Sequence, residues 1–392
     1  MLDSIHVGMT GLLGYAKGLR VIANNTANLN TPGYKGSTLQ FTDLFYANGG
    51  GAGHAQTRLG FGLGTAGTHV DFRQGDLRQT GNEFDLGVEG EGLFVLRDAQ
   101  GRTRYTRAGQ FQFDAGGNFV SRTDGSQVLG TEAGGGRVDV SLANMRVAAG
   151  KSTATARFTG NLSATATAQT VNSVKVFDER GKEHDLSVVF TNTSTTLPDS
   201  WKVELMDGAM SVGVSQVVFD DGSPTAATSK LGFVYTPAGR GARPLVLDFS
   251  NDVTSFASGN LSTLAMTSQD GYAPGTLSSA AFDAQGTLVA TYSNGQTVTG
   301  PRLLLAKFGT PDAVEDLGGS RYAEANGIAW DSGAPTDGAF GRVRSGVLEL
   351  SNVDLSREFS ELVIMQRGYQ ASSQVIATAN DMLQELFRMK AQ

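Results

Sequence analysis

Cysteine is absent from all 392 residues of the chain. That excludes disulfides, thiolate metal sites and a cysteine nucleophile. It fits either a cytosolic protein or one exported by a route where stray thiols are a liability. No apolar run approaches the ~18 residues a membrane helix needs, so membrane insertion is not expected. Positive charge is in deficit, 31 Lys and Arg against 38 Asp and Glu for a net −7, and the basic residues are scattered. Nucleic acid is therefore not an expected partner. Proline is scarce, 9 residues against 52 glycines, which favours tight turns and close backbone approach. A secretory signal is also missing: Asp3 sits where a basic region belongs, and Gly8, Gly11 and Gly14 interrupt the apolar residues. An extracellular destination would need a route without a cleaved signal peptide.

Motifs for chemistry are equally thin. Gly62-Leu-Gly64-Thr-Ala-Gly67 has the letters of a dinucleotide fingerprint, but strand-like His69 to Phe72 follows it where a helix is required, so it reads as a flexible connector. Gly150-Lys151-Ser152 ends like a phosphate loop, yet Met145 occupies the first glycine position. There is no Gly-x-Ser-x-Gly elbow. His6, His54, His69 and His184 lie in unrelated segments without metal-ligand spacing. Glu183-His184-Asp185 reads as a solvated hairpin position, because alternation turns both carboxylates away from the imidazole. Asp220-Asp221-Gly222 reads as a β-turn. No catalytic residue, cofactor site or metal site is expected, and the chain does not read as an enzyme.

What is present is helix at both ends and β between. Ile5, Met9, Leu12, Ala16, Leu19, Ala23 and Thr26 follow a 4,3 heptad spacing, and Leu355, Phe359, Leu362, Tyr369, Ile376 and Leu383 follow the same rhythm. These are the predicted seam residues of two helices that belong together. The first helix should stop where Asn30-Thr31-Pro32-Gly33 supplies a turn. Short strands follow, among them Gly92 to Leu96 and Phe111 to Phe113. A second β block has alternation at Trp201, Val203 and Leu205 and at Leu231, Phe233 and Tyr235. Phe113-Asp-Ala-Gly-Gly-Asn-Phe-Val120 echoes Phe282-Asp-Ala-Gln-Gly-Thr-Leu-Val289, which shared turn chemistry explains more simply than a split repeat. The predicted fold is mixed, mainly β with α-helical termini, in discontinuous nested domains. These are a terminal helical pair at 1–30 and 355–392, a Gly-rich connector at 31–70, a β domain at 71–145 and 281–354, and an inserted β domain at 146–280. Isolated helices of this length are marginal, so both ends are expected to order on assembly.

Four motifs carry a family resemblance. Asn24-Asn25-Thr26-Ala27-Asn28-Leu29-Asn30-Thr31-Pro32-Gly33-Tyr34-Lys35 resembles the N-terminal signature of the bacterial flagellar rod and hook family. Ser351-Asn352-Val353-Asp354-Leu355 with Gln366-Arg367-Gly368-Tyr369 resembles its C-terminal signature, and Thr80 to Leu86 and Tyr105 to Phe111 resemble its shared β motifs. Thr26, at a position usually apolar in the family, and the start Met1 to Val7 depart from the pattern. The strands at Val174 to Phe190, Ala290 to Thr297 and Leu303 to Phe308, with the size of the insert, resemble the hook branch; rod members are mostly shorter.

The resemblance implies a structural subunit with the helices innermost and the insert outermost, polymerising with itself into a curved, flexible tube that transmits motor torque outside the cell. It implies type III export, and as further partners the distal rod, hook cap, hook-length ruler and hook–filament junction proteins. Rigid β domains on a flexible connector suit such motion, which places adjustment at 48–67. The alternatives are a distal rod protein of the same family or a β-rich surface-binding module. The second would need an aromatic-lined surface, and the chain has only two tryptophans.

Overall fold

The computed structural model describes residues 2–44, 46–49, 57–132 and 134–390. The two longest elements are helices, α1 at Leu2–Ala27 and α2 at Leu355–Lys390; nearly everything between them is short strands and turns. The mainly β fold with helical termini is as the sequence predicts. The chain divides into two compact units. The first comprises 1–143, 280–289 and 299–392, and the second comprises 144–279 and 290–298.

In the first unit α1 and α2 pack antiparallel. A Cβ added at Gly8 would lie 2.7 Å from Ile376 Cγ1, one at Gly11 2.6 Å from Ser372 Oγ, and one at Gly18 2.9 Å from Met365 Sδ, while one at Gly368 would strike the Tyr15 ring. Gly8, Gly11, Tyr15, Gly18, Ile22 and Asn25 thus form the paired row, itself a 3,4 heptad. This corrects the predicted face by one residue. Met9 is 48% exposed and Ala23 is exposed, while Ile5, Leu12, Ala16 and Leu19 are half-buried flanks. On α2, Ile376 lies on the covered side and Leu362 and Leu383 are half-buried, but Leu355, Phe359 and Tyr369 are 37%, 53% and 42% exposed. The reason is steric: glycines let two backbones approach, and a period read from apolar side chains passes over them. The Thr26 hydroxyl donates to Ile22 O at 2.9 Å, which satisfies it within its own helix.

The predicted connector is also corrected. Strands β1 (Ser37–Asp43), β2 (Tyr46–Gly49), β3 (Thr57–Gly60) and β4 (Leu63–Val70) occupy most of it. β1 pairs antiparallel with β4, and β2 with β3; residues 45 and 50–56 of the expected connector lie outside the described residues. Of Gly62-Leu-Gly64-Thr-Ala-Gly67, β4 takes in Gly64 and Gly67, with Gly62 just before its start and a register shift between Thr65 and Gly67. The ladder packs on α1: Phe41 meets Tyr15 with ring centroids 5.8 Å apart, Lys17 Nζ donates to Thr65 Oγ1 at 3.0 Å, and Leu63 N donates to Thr10 Oγ1 at 3.2 Å. Glycine-rich sequence can still make strand where a large neighbour would otherwise be displaced; a Cβ on Gly64 would sit 2.8 Å from Thr42 Oγ1.

The rest of the first unit is short antiparallel strands over aromatic cores. Tyr105 stacks on Trp330 at 4.1 Å, and Phe94, Phe111, Phe119 and Phe282 run in contact. The strand Leu93–Arg97 pairs with Thr103–Thr106. The second unit has two five-stranded sheets. One is the meander Ala168–Phe177, Glu183–Asn192, Ser200–Asp207, Met210–Asp220, Ser223–Pro224; the other is built around Thr155–Asn161. They share one apolar core with Trp201, Phe158, Phe190 and Phe249 fully buried. Strand Lys230–Tyr235 alternates strictly, burying Leu231, Phe233 and Tyr235.

The sequence echo resolves as turn chemistry. In Asp114 to Asn118 and Asp283 to Thr287 the aspartate carbonyl accepts from the glycine N–H at 2.9 Å, and its carboxylate accepts from the residue after that glycine. Asp98 to Arg102 and Asp178 to Lys182 close in the same way, outside any repeat. Each turn glycine has φ between +72° and +88°, which only glycine adopts cheaply. Asp221-Gly222 is likewise a two-residue hairpin turn. His184 differs from its reading as a solvated position: its Nε2 lies 3.3 Å from Asp178 Oδ2 and its side chain is only 16% exposed. Glu183 points away, as alternation requires, and pairs with Lys175.

Candidate assembly site

The N-terminal motif begins as a helix stop. Asn28 N returns to Asn24 O at 3.1 Å, Asn28 Nδ2 donates to the same carbonyl at 2.9 Å, and Thr31 Oγ1 donates to Asn28 Oδ1 at 3.1 Å. Pro32, with no N–H to give, prevents the helix resuming. Gly33 has φ +68°, and a Cβ there would strike the backbone of Arg107 and Ala108. Ala27 and Asn30 are exposed and take no part.

Asn25 is 2% exposed and uses its whole hydrogen-bonding capacity. Its Nδ2 donates to Ser37 O at 2.8 Å and to Glu358 Oε1 at 3.1 Å. Its Oδ1 accepts from Ser37 N at 3.0 Å and from Tyr34 Oη at 3.1 Å. Asn24 Nδ2 donates to the same tyrosine oxygen at 3.0 Å. Asn352 bridges from the other end of the chain, accepting from Gly36 N at 2.8 Å and donating to Asp71 O at 2.7 Å and Arg73 O at 2.9 Å. Val353 packs over Gly36, and Asp354 caps α2 by accepting from Ser356 N at 2.8 Å. Ser351 Oγ accepts from Val353 N. Gln366 and Arg367 lie exposed on α2, apart from this cluster.

At its centre is a buried ion triad. Lys35 Nζ is 2.6 Å from Glu349 Oε1, with both side chains 0% exposed. Arg107 Nη1 is 3.1 Å from Glu349 Oε2. The surplus positive charge is met by carbonyls: Lys35 donates to Arg73 O, and Arg107 donates to Val88 O and Gly90 O. Gly75 N donates to Glu349 Oε1 and Gly33 N to the Glu349 carbonyl. Burial pushes the Lys35 ammonium and the Arg107 guanidinium down from their ordinary values, and Glu349 opposes the fall in both. Such a triad holds geometry more than it adds net stability, and losing one member is costly.

Sequence reading found the motif residues but not the triad. Lys35 and Arg107 stood inside quoted motifs; the overlooked signal was Glu349, a lone charge in the apolar run Val347 to Leu350. The predicted seam residues are not gathered here, save that Leu355 and Phe359 flank Glu358 in sequence. Among the described residues no His, Asp and Glu side chains cluster as metal ligands do, and no helix is long and apolar enough to cross a membrane.

A helix pair clasped to short-stranded β structure by these motifs defines a flagellar rod or hook component. Family models match along most of the chain: "Flagella basal body rod protein" at 5–35, "Flagellar hook protein FlgE/F/G D1 domain" at 87–172, "Flagellar basal body protein FlaE D2 domain" at 148–272 and "Flagellar basal body rod FlgEFG protein C-terminal" at 344–389. The flagellar hook protein FlgE of Escherichia coli K12 is 31% identical over 97% of this chain and 98% of its own length. That of Treponema pallidum is 29% identical, with both chains fully covered. The crystal structure of Helicobacter pylori flagellar hook protein FlgE2 aligns with TM-score 0.50 at 12% identity, over 69% of this chain and all of that one. The chain belongs to the flagellar hook protein FlgE family. It is a self-polymerising structural subunit of the bacterial flagellar hook, and the rod alternative is not favoured.

Proposed function

We propose that the subunit polymerises through the apolar stripes that the α1–α2 pairing leaves open. One observation carries this reading: the helices close on a row of glycines with Tyr15, Ile22 and Asn25, while Met9, Leu13, Phe359, Val363 and Ile364 stay 48–65% exposed. Exposed apolar side chains in contiguous rows need a partner surface. A heterologous contact between identical copies propagates as a helix when its rotation does not close. Of the predicted seam, Met9, Ala23, Leu355, Phe359 and Tyr369 face outward for this purpose, flanked by Ile5, Leu12, Ala16, Leu19, Leu362 and Leu383, while Ile376 lies in the closed pairing.

The tube so formed is the curved universal joint between motor and filament. Its further partners are the distal rod, hook cap, length ruler and hook–filament junction proteins, and it leaves the cell by type III export. Phe359→Asp tests the seam. The variant should keep the monomer's circular dichroism and lose sedimentable tubes. Tubes of normal curvature from that variant would sink the proposal. Gold-labelled antibody against 146–280 should decorate the curved segment outside the envelope; label on the straight shaft alone would speak for the rod.

A further inference from the structure

Among the described side chains of the helix junction, Glu358 is the one that its surroundings leave incomplete. It lies in the first turn of α2, 7% exposed, and Oε1 accepts from Asn25 Nδ2. Oε2 is buried with no hydrogen-bond partner among the described residues. Asn25 has nothing left to offer it, since both of its protons and both oxygen lone pairs are already engaged.

The charged groups acting on this carboxyl are Asp354, at the cap of α2, and Arg357 and Glu361 on α2; the neutral Tyr34 on the loop after α1 faces it too, and Asp316, on strand Val314–Gly318, acts on that tyrosine. α1 and β1 contribute only the neutral Asn25 and Ser37. Arg357 is the only cation among them, and its guanidinium is engaged by Glu361 at 3.0 Å. An ionised Glu358 would therefore be a buried charge with one unsatisfied oxygen among other acids. A neutral carboxylic acid carries a far smaller desolvation cost there. The N-terminal end of α2 favours an anion, but Asp354 already caps it.

We infer that Glu358 is a proton-dependent latch: as the neutral acid it lets α1 and α2 close at the Asn25 crossing, and on ionisation it loosens them. Burial, with Asp354 and Glu361, holds the carboxyl above its ordinary range, against Asn25 and Arg357. The sign follows. The folded pKa exceeds the unfolded one, so the latch's contribution is complete below the unfolded pKa and is lost as pH rises through the folded value. The paired helices are thus tighter in mild acid, and each pH unit between the unfolded and the folded pKa shifts the closed-to-open ratio by up to about tenfold, levelling off above the folded value.

The test uses the whole chain as monomer. Amide exchange in 2–27 and 355–390, corrected for intrinsic rates, is followed from pH 4 to 9 for the parent and Glu358→Gln. The parent should lose protection with rising pH, up to about tenfold per unit. Glu358→Gln, always neutral and carrying an extra donor, should stay protected with a flat profile. A flat parent profile, or the same slope in the variant, overturns the latch. If the variant unfolds, 13C-carboxyl NMR of the parent decides: Glu358 titrating above the free glutamate range supports the proposal, and titration at or below it overturns it.

Discussion

The second unit and the helix junction of the first are held by opposite means. In the second unit, two sheets close over Trp201, Phe158, Phe190 and Phe249, side chains with no charge to satisfy. At the junction the closest contacts are glycine against side chain, and the buried groups are Asn25, Lys35, Arg107, Glu349 and Glu358. Apolar burial is non-directional and tolerates substitution of similar volume. Buried polar networks fail when one member is lost, but they fix a unique arrangement. The insert is built to be robust, and the junction to be specific.

The largest test of this difference removes the hub carboxylate. Glu349→Ala leaves Lys35 and Arg107 buried without their partner and should cost ~3–5 kcal/mol in the first unit. The two tryptophans report separately, Trp330 from the first unit and Trp201 from the second. With the other tryptophan changed to Phe, urea unfolding should shift at Trp330 and stay put at Trp201. A common shift would erase the distinction.

A smaller effect is expected from packing. Gly11→Leu must push against Ser372 and should cost ~1–3 kcal/mol, seen as lost amide protection along both helices. Gly232→Ala in the second unit meets nothing within 4 Å and should change stability by no more than ~0.5 kcal/mol. Equal losses at the two glycines would show that close approach is not special to the helix pair.

The mildest effect is acid sensitivity at Asp178. Burial works against its ionisation, but the N–H groups of Lys182 and Arg180, with His184 and Arg240, prevail and hold its pKa at about 2. A depressed pKa contributes stability above the ordinary aspartate value, lost as pH falls from about 4 through about 2. The Trp201 signal should therefore show a steepening loss of stability in that window, absent in Asp178→Asn. Identical acid profiles would remove this turn as the cause.

Much of this was legible in the sequence, for identifiable reasons. Heptads at Ile5 to Thr26 and Leu355 to Leu383 announce helices, and the alternation of Leu231, Phe233 and Tyr235 announces a half-buried strand. The face of α1 was misread by one residue because its contact row is marked by glycines, which have no side chain for a periodicity to count. β4 was missed because Gly62, Gly64 and Gly67 look like breakers until β1 is known to lie beside them. The triad was out of reach for a different reason. Nothing local to Lys35 or Glu349 states that residues so far apart will share a proton donor and acceptor.

That separation has an evolutionary consequence. The clasp between Lys35 and Glu349 closes a loop of 314 residues, and the second unit is threaded wholly inside it. Loop-closure entropy grows only logarithmically, about 0.6 kcal/mol for each doubling of length. Lengthening, shortening or replacing the insert therefore barely taxes the clasp. A lineage can remodel the whole second unit while the pairing of its two ends stays in register.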